Sequence, residues 1–222
     1  MRKGRIIWRS RRDKLRDTMD LRRFIDATIL RSDASIEEVV EFAKKSAQEG
    51  FRSVVVHPFF VKYVSNLAIP VCTVVGFPYG TQVKEVKAFE AKKAAEDGAS
   101  EIDYVVSLPS LKSRMVDYLR QEATLLRQSF PGVIKAIIEI PILSDEELEI
   151  IVSTLDKTEI DYVKTSTGLY RPVTPEDIRK IGKYTNKGVK AAGGIRKRDQ
   201  AEELIKAGAS ILGTSKPFNL LK

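Results

Sequence analysis

Two lysines stand where lysine is least expected. Asp161-Tyr162-Val163-Lys164-Thr165-Ser166-Thr167-Gly168 reads as a short strand that stops at a small-residue turn, and Val189-Lys190-Ala191-Ala192-Gly193-Gly194 repeats the design. Burying an ammonium costs several kcal/mol unless it is paired or neutral. One such lysine reads as a surface residue on an edge strand; two, ending consecutive strands, read as a site. Neighbouring strands lie about 4.8 Å apart, so the two side chains can approach each other. A free lysine has a pKa near 10.4, which leaves only about one in 2,500 neutral at pH 7. Burial and a cationic neighbour that lower it by roughly three units cost around 4 kcal/mol and yield an amine fit for Schiff-base chemistry. Asp103, in the strand-like run Glu101-Ile102-Asp103-Tyr104-Val105-Val106, lies two strands away and is placed to shuttle protons. The expected catalytic set is therefore Lys164, Lys190 and Asp103.

Glycines form a second feature. Gly193-Gly194 follows the Lys190 strand, and Gly213-Thr214-Ser215 ends the last strand. Backbone N–H groups at such turns cradle phosphate, and glycine lets the backbone come close to it. Lys216 is as compatible with added charge as with a solvated helix start. Other polar residues fall at strand ends: Asp26, Thr28, Thr165 and His57, the single histidine. They are expected to line a substrate cavity, although a satisfied structural role is the stronger reading of His57. Lys135 and Glu139 share one face of a strand by period two, with Ile134, Ala136, Ile138 and Ile140 on the other. The polar pair is expected inside, in a supporting role.

These residues need a scaffold that puts strand ends together. Short β-branched runs begin near Arg23, Ser53, Val71, Glu101, Val133, Asp161, Val189 and Ile211, each followed by a helical pattern. Ser35 with Glu38, and Ser144 with Glu147, have capping-box spacing; Thr174-Pro175 starts another helix. A helix is expected through Phe60, Val61, Val64 and Leu67, another at about 84–97, one near 113–129 and a last one near 198–207. Strand five is expected to run from Val133 to Ile140. Eight βα units in about 200 residues match a closed (β/α)8 TIM barrel, whose active sites lie at the C-terminal strand ends and whose loops after strands seven and eight bind phosphate. A doubly wound sheet would call for a glycine-rich turn after the first strand, and Thr28-Ile29-Leu30-Arg31-Ser32 is not one.

Charge divides the chain unevenly. Residues 1–23 hold ten Lys/Arg against three Asp/Glu, so of the net charge of +8 only about +1 belongs to the remainder. The expected organisation is a basic N-terminal arm or helix over 1–22 and one barrel domain over 23–222. Asp13, Asp17 and Asp20 interleave with the arm's bases, which favours a helix packed on the domain over nucleic-acid binding. Ile6, Ile7 and Trp8 are its candidate anchors. Cys72 is the sole cysteine, so no internal disulfide is possible, and it falls in an apolar run. No apolar run approaches the roughly 18–20 residues of a membrane span, and no secretory signal core is visible. A cytoplasmic location is expected.

Several motifs together resemble the 2-deoxyribose-5-phosphate aldolases, over nearly all of residues 24–216. They are Ile25-Asp26-x-Thr28, Val71 to Pro78, Glu85-Val86-Lys87-x-Phe89-Glu90-Ala91, Glu101-Ile102-Asp103, Val163 to Gly168, Val189 to Arg196 and Ile211 to Ser215. The resemblance implies that Lys164 forms the Schiff base, Lys190 perturbs it and Asp103 relays protons. It implies that Gly168, Gly193, Gly194, Gly213 and Ser215 hold the phosphate. It further implies a phosphorylated-sugar substrate, no metal or organic cofactor, and a homodimer or homotetramer. The implied reaction is reversible cleavage of 2-deoxyribose 5-phosphate to glyceraldehyde 3-phosphate and acetaldehyde. Departures fall around the substrate loops: Ala27 where many members have histidine, the shortened Leu169 to Val173, and Lys216-Pro217 after Ser215. They bear on substrate preference rather than on imine chemistry. The alternatives are the same chemistry on another phosphorylated sugar, or a non-catalytic barrel that binds nucleic acid through its arm.

Overall fold

The computed structural model describes residues 19–222. The arm's anchors, Ile6, Ile7 and Trp8, and its bases from Arg2 to Arg16 lie outside the described residues. The described chain enters the fold at once. Asp20 accepts a hydrogen bond from the Arg22 N–H and caps a 3-10 turn, Leu21–Phe24, in which Leu21 is fully buried. Packing on the barrel thus begins before the expected boundary at residue 22.

Eight parallel strands close on themselves in sequence order. They are β1 Ile25–Ile29, β2 Ser53–Val56, β3 Val71–Val75, β4 Glu101–Val105, β5 Val133–Ile137, β6 Tyr162–Lys164, β7 Gly188–Ala192 and β8 Ala209–Thr214. β8 pairs with β1 through Asp26 and Gly213, so no edge is left open. The outer sheath comprises α1 Ile36–Glu49, α2 Val61–Val64, α3 Lys84–Glu96, α4 Leu108–Lys112, α5 Val116–Ser129, α6 Asp145–Asp156, α7 Pro175–Gly182 and α8 Arg198–Lys206. Local chemistry starts three of them. Ser35 and Glu38, Ser144 and Glu147, and Thr174 and Asp177 form reciprocal capping boxes, the last with Pro175 in the first turn. Among the described residues no helix is long and apolar enough to cross a membrane.

The structure departs from the sequence pattern in three places. The helix expected near 113–129 is two helices, because Pro109 opens α4 early and Arg114 turns the chain with φ 57° before α5. β5 stops at Ile137 rather than Ile140; Glu139 adopts φ 53° and Pro141 sits in a 3-10 turn, Ile140–Ile142. Lys135 and Glu139 are both buried, but the alternation that linked them ends before Glu139. The helix expected through Leu67 shrinks to a Pro58–Phe60 3-10 turn and the four residues of α2. After β8 the described chain closes with a 3-10 turn, Pro217–Leu221, which seats the Phe218 ring against Phe42 and Phe51.

Two apolar layers result, of very different size. The large one lies between the outer face of the barrel and the helices and includes Val54, Val56, Ile102, Tyr104, Ile134 and Leu155. Inside the barrel a small buried apolar cluster comprises Val55, Cys72 and Val74, with Leu30 and Phe77 against it. Barrels of this kind usually fill their interior with branched aliphatic layers. Here much of that space is charged.

Candidate active site

The interior charges form a closed ring. Lys190 Nζ donates to Asp26 Oδ2 at 2.5 Å and to Asp103 Oδ2 at 2.7 Å. Lys135 pairs with Asp103 Oδ1 at 3.2 Å and with Glu101. Arg52 closes the circuit, donating to Glu101 at 2.8 and 3.0 Å and to Asp26 Oδ1 at 2.5 Å. Three carboxylates therefore alternate with three cations. Lys164 hangs from this ring by one bond, Nζ to Asp103 Oδ2 at 2.8 Å. Its strand register sets it directly beside Lys190.

This topology decides which lysine can lose its proton. Burial lowers the Lys164 pKa; Asp103 opposes that, and the adjacent Lys190 adds to it, leaving the amine below the usual lysine range. Burial also pulls on Lys190, but Asp103 and Asp26 together outweigh it and raise its pKa. Lys135 is likewise raised. Burial works against the Asp103 charge, yet Lys135, Lys164 and Lys190 hold its carboxyl well below the usual range. Asp26 is brought to about 2, with burial outweighed by Lys190, Lys135 and Arg52. The Cys72 thiol is pushed up to about 12 by burial and by Asp103, so it remains a neutral donor to Asp103 Oδ1 at 3.3 Å. Asp26, Asp103, Lys135 and Lys190 are each favoured as ions by their ring partners, and Lys164 is left outside that balance.

Lys164 is also the lysine that reaches open space. It lines a cavity of about 340 Å³ at the C-terminal strand ends, together with Thr28, Gly168, Gly193, Gly194, Gly213 and Ser215. Lys190 and Asp103 lie behind it, fully buried. The two loop glycines are required by shape. Gly193 has φ 107° and Gly194 φ 71°, and a Cβ on either would fall within 2.7 Å of Ser166 or Pro172. Gly213 acts differently: a Cβ there would press on Lys190 Cε at 3.2 Å, so this glycine makes room for the ring lysine.

Three residues expected at the cavity are placed elsewhere. Asp26 is the second residue of β1 and belongs to the ring beneath, because a five-residue strand carries its early positions into the barrel and only its late ones to the rim. Thr165 is fully buried and ties β6 to β7, donating to Ala192 O and accepting from Ala192 N, both at 2.9 Å. His57 pairs through Nε2 with Leu30 O at 2.9 Å and lies outside the cavity lining. Lys216 is outside it too. Sequence reasoning missed Arg31 and Arg196 among the lining residues, along with Phe77, Thr167 and Leu169; the Arg31 guanidinium is itself paired with Asp33, at 3.0 Å, and with Glu38. Arg196 lies two residues after Gly194 and could have been found on that ground. Glu139 also went unrecognised in its role: it accepts from the Thr167 N–H at 3.1 Å and from the Thr167 hydroxyl, and burial raises its pKa.

Chain-wide comparisons decide the family. Deoxyribose-phosphate aldolase of Streptococcus gordonii is 38% identical over 212 residues, covering 92% of this chain and 96% of that protein. The chain belongs to the deoxyribose-phosphate aldolase family. The enzyme of that name from Aquifex aeolicus is 39% identical over 209 residues, 91% of this chain and 95% of that one. Among solved structures, the tetrameric deoxyribose phosphate aldolase of Aeropyrum pernix superposes with a TM-score of 0.85 at 34% identity, over 96% of this chain and 97% of that one. The chain matches no protein-family profile. Among the described residues no group of three or more His, Cys, Asp or Glu is placed to hold a metal ion; the interior carboxylates are taken up by lysine and arginine.

Proposed function

We propose that this member of the deoxyribose-phosphate aldolase family reversibly cleaves 2-deoxy-D-ribose 5-phosphate, using Lys164 as the imine-forming nucleophile. The observation that carries the residue assignment is the position of Lys164: one buried amine, outside a ring of paired ions, at the floor of a glycine-walled cavity. The neutral amine adds to the C1 aldehyde, and loss of water leaves a protonated imine. The C2–C3 bond then breaks, its electron pair moving toward the iminium nitrogen as the C3 hydroxyl loses its proton. Glyceraldehyde 3-phosphate departs. The enamine left on Lys164 takes a proton at C2, and water releases acetaldehyde and the free amine.

Asp103 touches the reacting nitrogen and is the catalytic residue placed to move protons there. Lys190 is a positioning residue that holds Asp103 ionised. The imine is itself the electron sink, so these steps draw on no further group. Gly168, Gly193, Gly194, Gly213 and Ser215, with Arg196 at the lining, are proposed to receive the phosphate. Thr28 lines the same cavity. Borohydride reduction in the presence of deoxyribose 5-phosphate should leave a covalent adduct on Lys164, read by mass spectrometry. No adduct, or one on another lysine, overturns the assignment.

A homo-oligomer in the cytoplasm completes this proposal. Phe59, Tyr63, Val83, Val86 and Phe89 are exposed apolar residues on the β2–α3 side of the barrel, suited to contact with a second copy. Light scattering should return a multiple of 24.9 kDa; a monomer at micromolar concentration would remove that part.

A further inference from the structure

Arg52 is the ring member farthest from the chemistry. It immediately precedes β2, at the N-terminal mouth of the barrel, opposite the cavity, and its backbone N–H bonds Ile25 O at 3.0 Å. Its guanidinium bridges Asp26 on β1 and Glu101 on β4. Without it, Asp26 would keep Lys190 and the Ser53 hydroxyl at 2.7 Å, and Glu101 would keep Lys135. The ring would then hold three carboxylates and two cations.

We infer that Arg52 is a positioning residue for the aldol reaction: by closing the interior ring it balances the buried carboxylates without any help from Lys164, so the Lys164 amine need not carry a proton. The inference rests on the reading of Lys164 as the nucleophile. The charged groups that face Lys164 are Asp103 and Lys190, with Glu139 and the Cys72 thiol nearby. Those that face Arg52 are Asp26 and Glu101. The influence runs from Arg52 through Asp26 to Lys190, and through Glu101 and Lys135 to Asp103. Deleting the Arg52 charge leaves one carboxylate uncompensated, and the group able to take up a proton in answer is Lys164. Deleting the Glu101 charge leaves one cation too many and pushes Lys164 the other way.

The opposite signs separate this role from a merely structural plug. The readout is the pH midpoint of adduct formation on Lys164, trapped by borohydride with acetaldehyde, alongside the melting temperature of each variant. Arg52→Gln should move the midpoint up by roughly half to one pH unit, the size of a Coulomb interaction between partly buried charges separated by several side chains. Glu101→Gln should move it down by a similar amount. The double variant should return close to the wild-type midpoint, and Arg52→Lys should keep it. A midpoint that stays in place in both Arg52→Gln and Glu101→Gln, whatever happens to melting, overturns the inference and leaves the aldolase reading intact. If Arg52→Gln does not fold, Glu101→Gln decides alone by the direction of its shift. Absence of any wild-type adduct on Lys164 would remove the aldolase reading and the inference with it.

Discussion

The protein buries lysine in two ways, and they differ in what becomes of the charge. Between α3 and α5, outside the barrel, Lys87 Nζ donates to Glu122 Oε1 at 2.7 Å and to Val105 O at 2.8 Å, while Glu122 accepts from the Ser107 N–H at 2.9 Å. Both side chains are fully buried. Burial lowers the Lys87 pKa and raises that of Glu122, so each partner leans toward its neutral form. One ion with one counter-ion only partly offsets desolvation. In the interior ring each ion has at least two opposite neighbours, and the shifts reverse: Asp103 and Asp26 go down, Lys190 and Lys135 go up. Desolvation is thereby concentrated on Lys164, which holds a single shared carboxylate. A closed pair fastens two helices to the end of β4; a closed ring with one cation outside it makes a nucleophile.

The largest effect expected from this contrast is catalytic. Asp103→Asn removes the group that touches the reacting nitrogen, and turnover should fall by about 10³- to 10⁴-fold while substrate still binds. Near-normal turnover in steady-state assays would exclude Asp103 from proton transfer.

The outer pair should answer in the other currency, stability. Lys87→Met leaves Glu122 buried without its cation, a change that costs about 3–5 kcal/mol. The chemical-denaturation midpoint should drop accordingly, and the pH midpoint of Lys164 should not move. If that midpoint shifted, the two regions would not be electrostatically separate. Replacing both partners, Lys87→Met with Glu122→Leu, should recover much of the lost stability, because no unpaired ion remains.

Lys190→Met tests the ring with a smaller penalty. Asp103 loses one of its three cations, Asp26 loses another, and Lys164 becomes the group that restores balance by holding its proton. Its pKa should rise by about two units, which reduces turnover near pH 7 by about 100-fold and moves the acid limb of the rate profile upward. A reduced rate with an unmoved limb would mean that Lys190 acts on geometry alone.

These features were unequally readable from sequence. The capping boxes at Ser35, Ser144 and Thr174 depend on residues three apart, so helices starting there were legible. Lys164 beside Lys190 was legible because consecutive parallel strands in a barrel must be neighbours. The level of a residue inside the barrel was not. Asp26 and Thr28 are two residues apart on one face of β1, yet one joins the ring and the other lines the cavity. The ring itself draws on residues from β1, β4, β5 and β7 and from the segment before β2. Its closure follows from how far each strand is staggered against the next, which no local pattern records. Glu139 was hidden for another reason: an isoleucine-rich run reads as strand until the tertiary contact with Thr167 turns its backbone to φ 53°.

The smallest effect separates the two regions by the sign of a pH slope. Asp26 titrates at about 2 in the folded protein against 3.8 for a free carboxyl. Between those values the unfolded chain binds the proton and the folded one does not, so stability falls as pH falls. The contribution is fully present above 3.8 and lost through about 2, a total of about 2 kcal/mol. Glu122 has the opposite sign. Its pKa is raised above 4.5, so the folded protein keeps a proton that the unfolded chain releases, and its contribution declines as pH rises past 4.5. Asp26→Asn should therefore flatten the stability–pH curve below pH 4, and Glu122→Gln should flatten a descending component above 4.5. Urea midpoints taken across pH 2–7 measure both slopes. If the two variants changed the curve in the same direction, the pair and the ring would be titrating as one network, and the division of labour between them would fail.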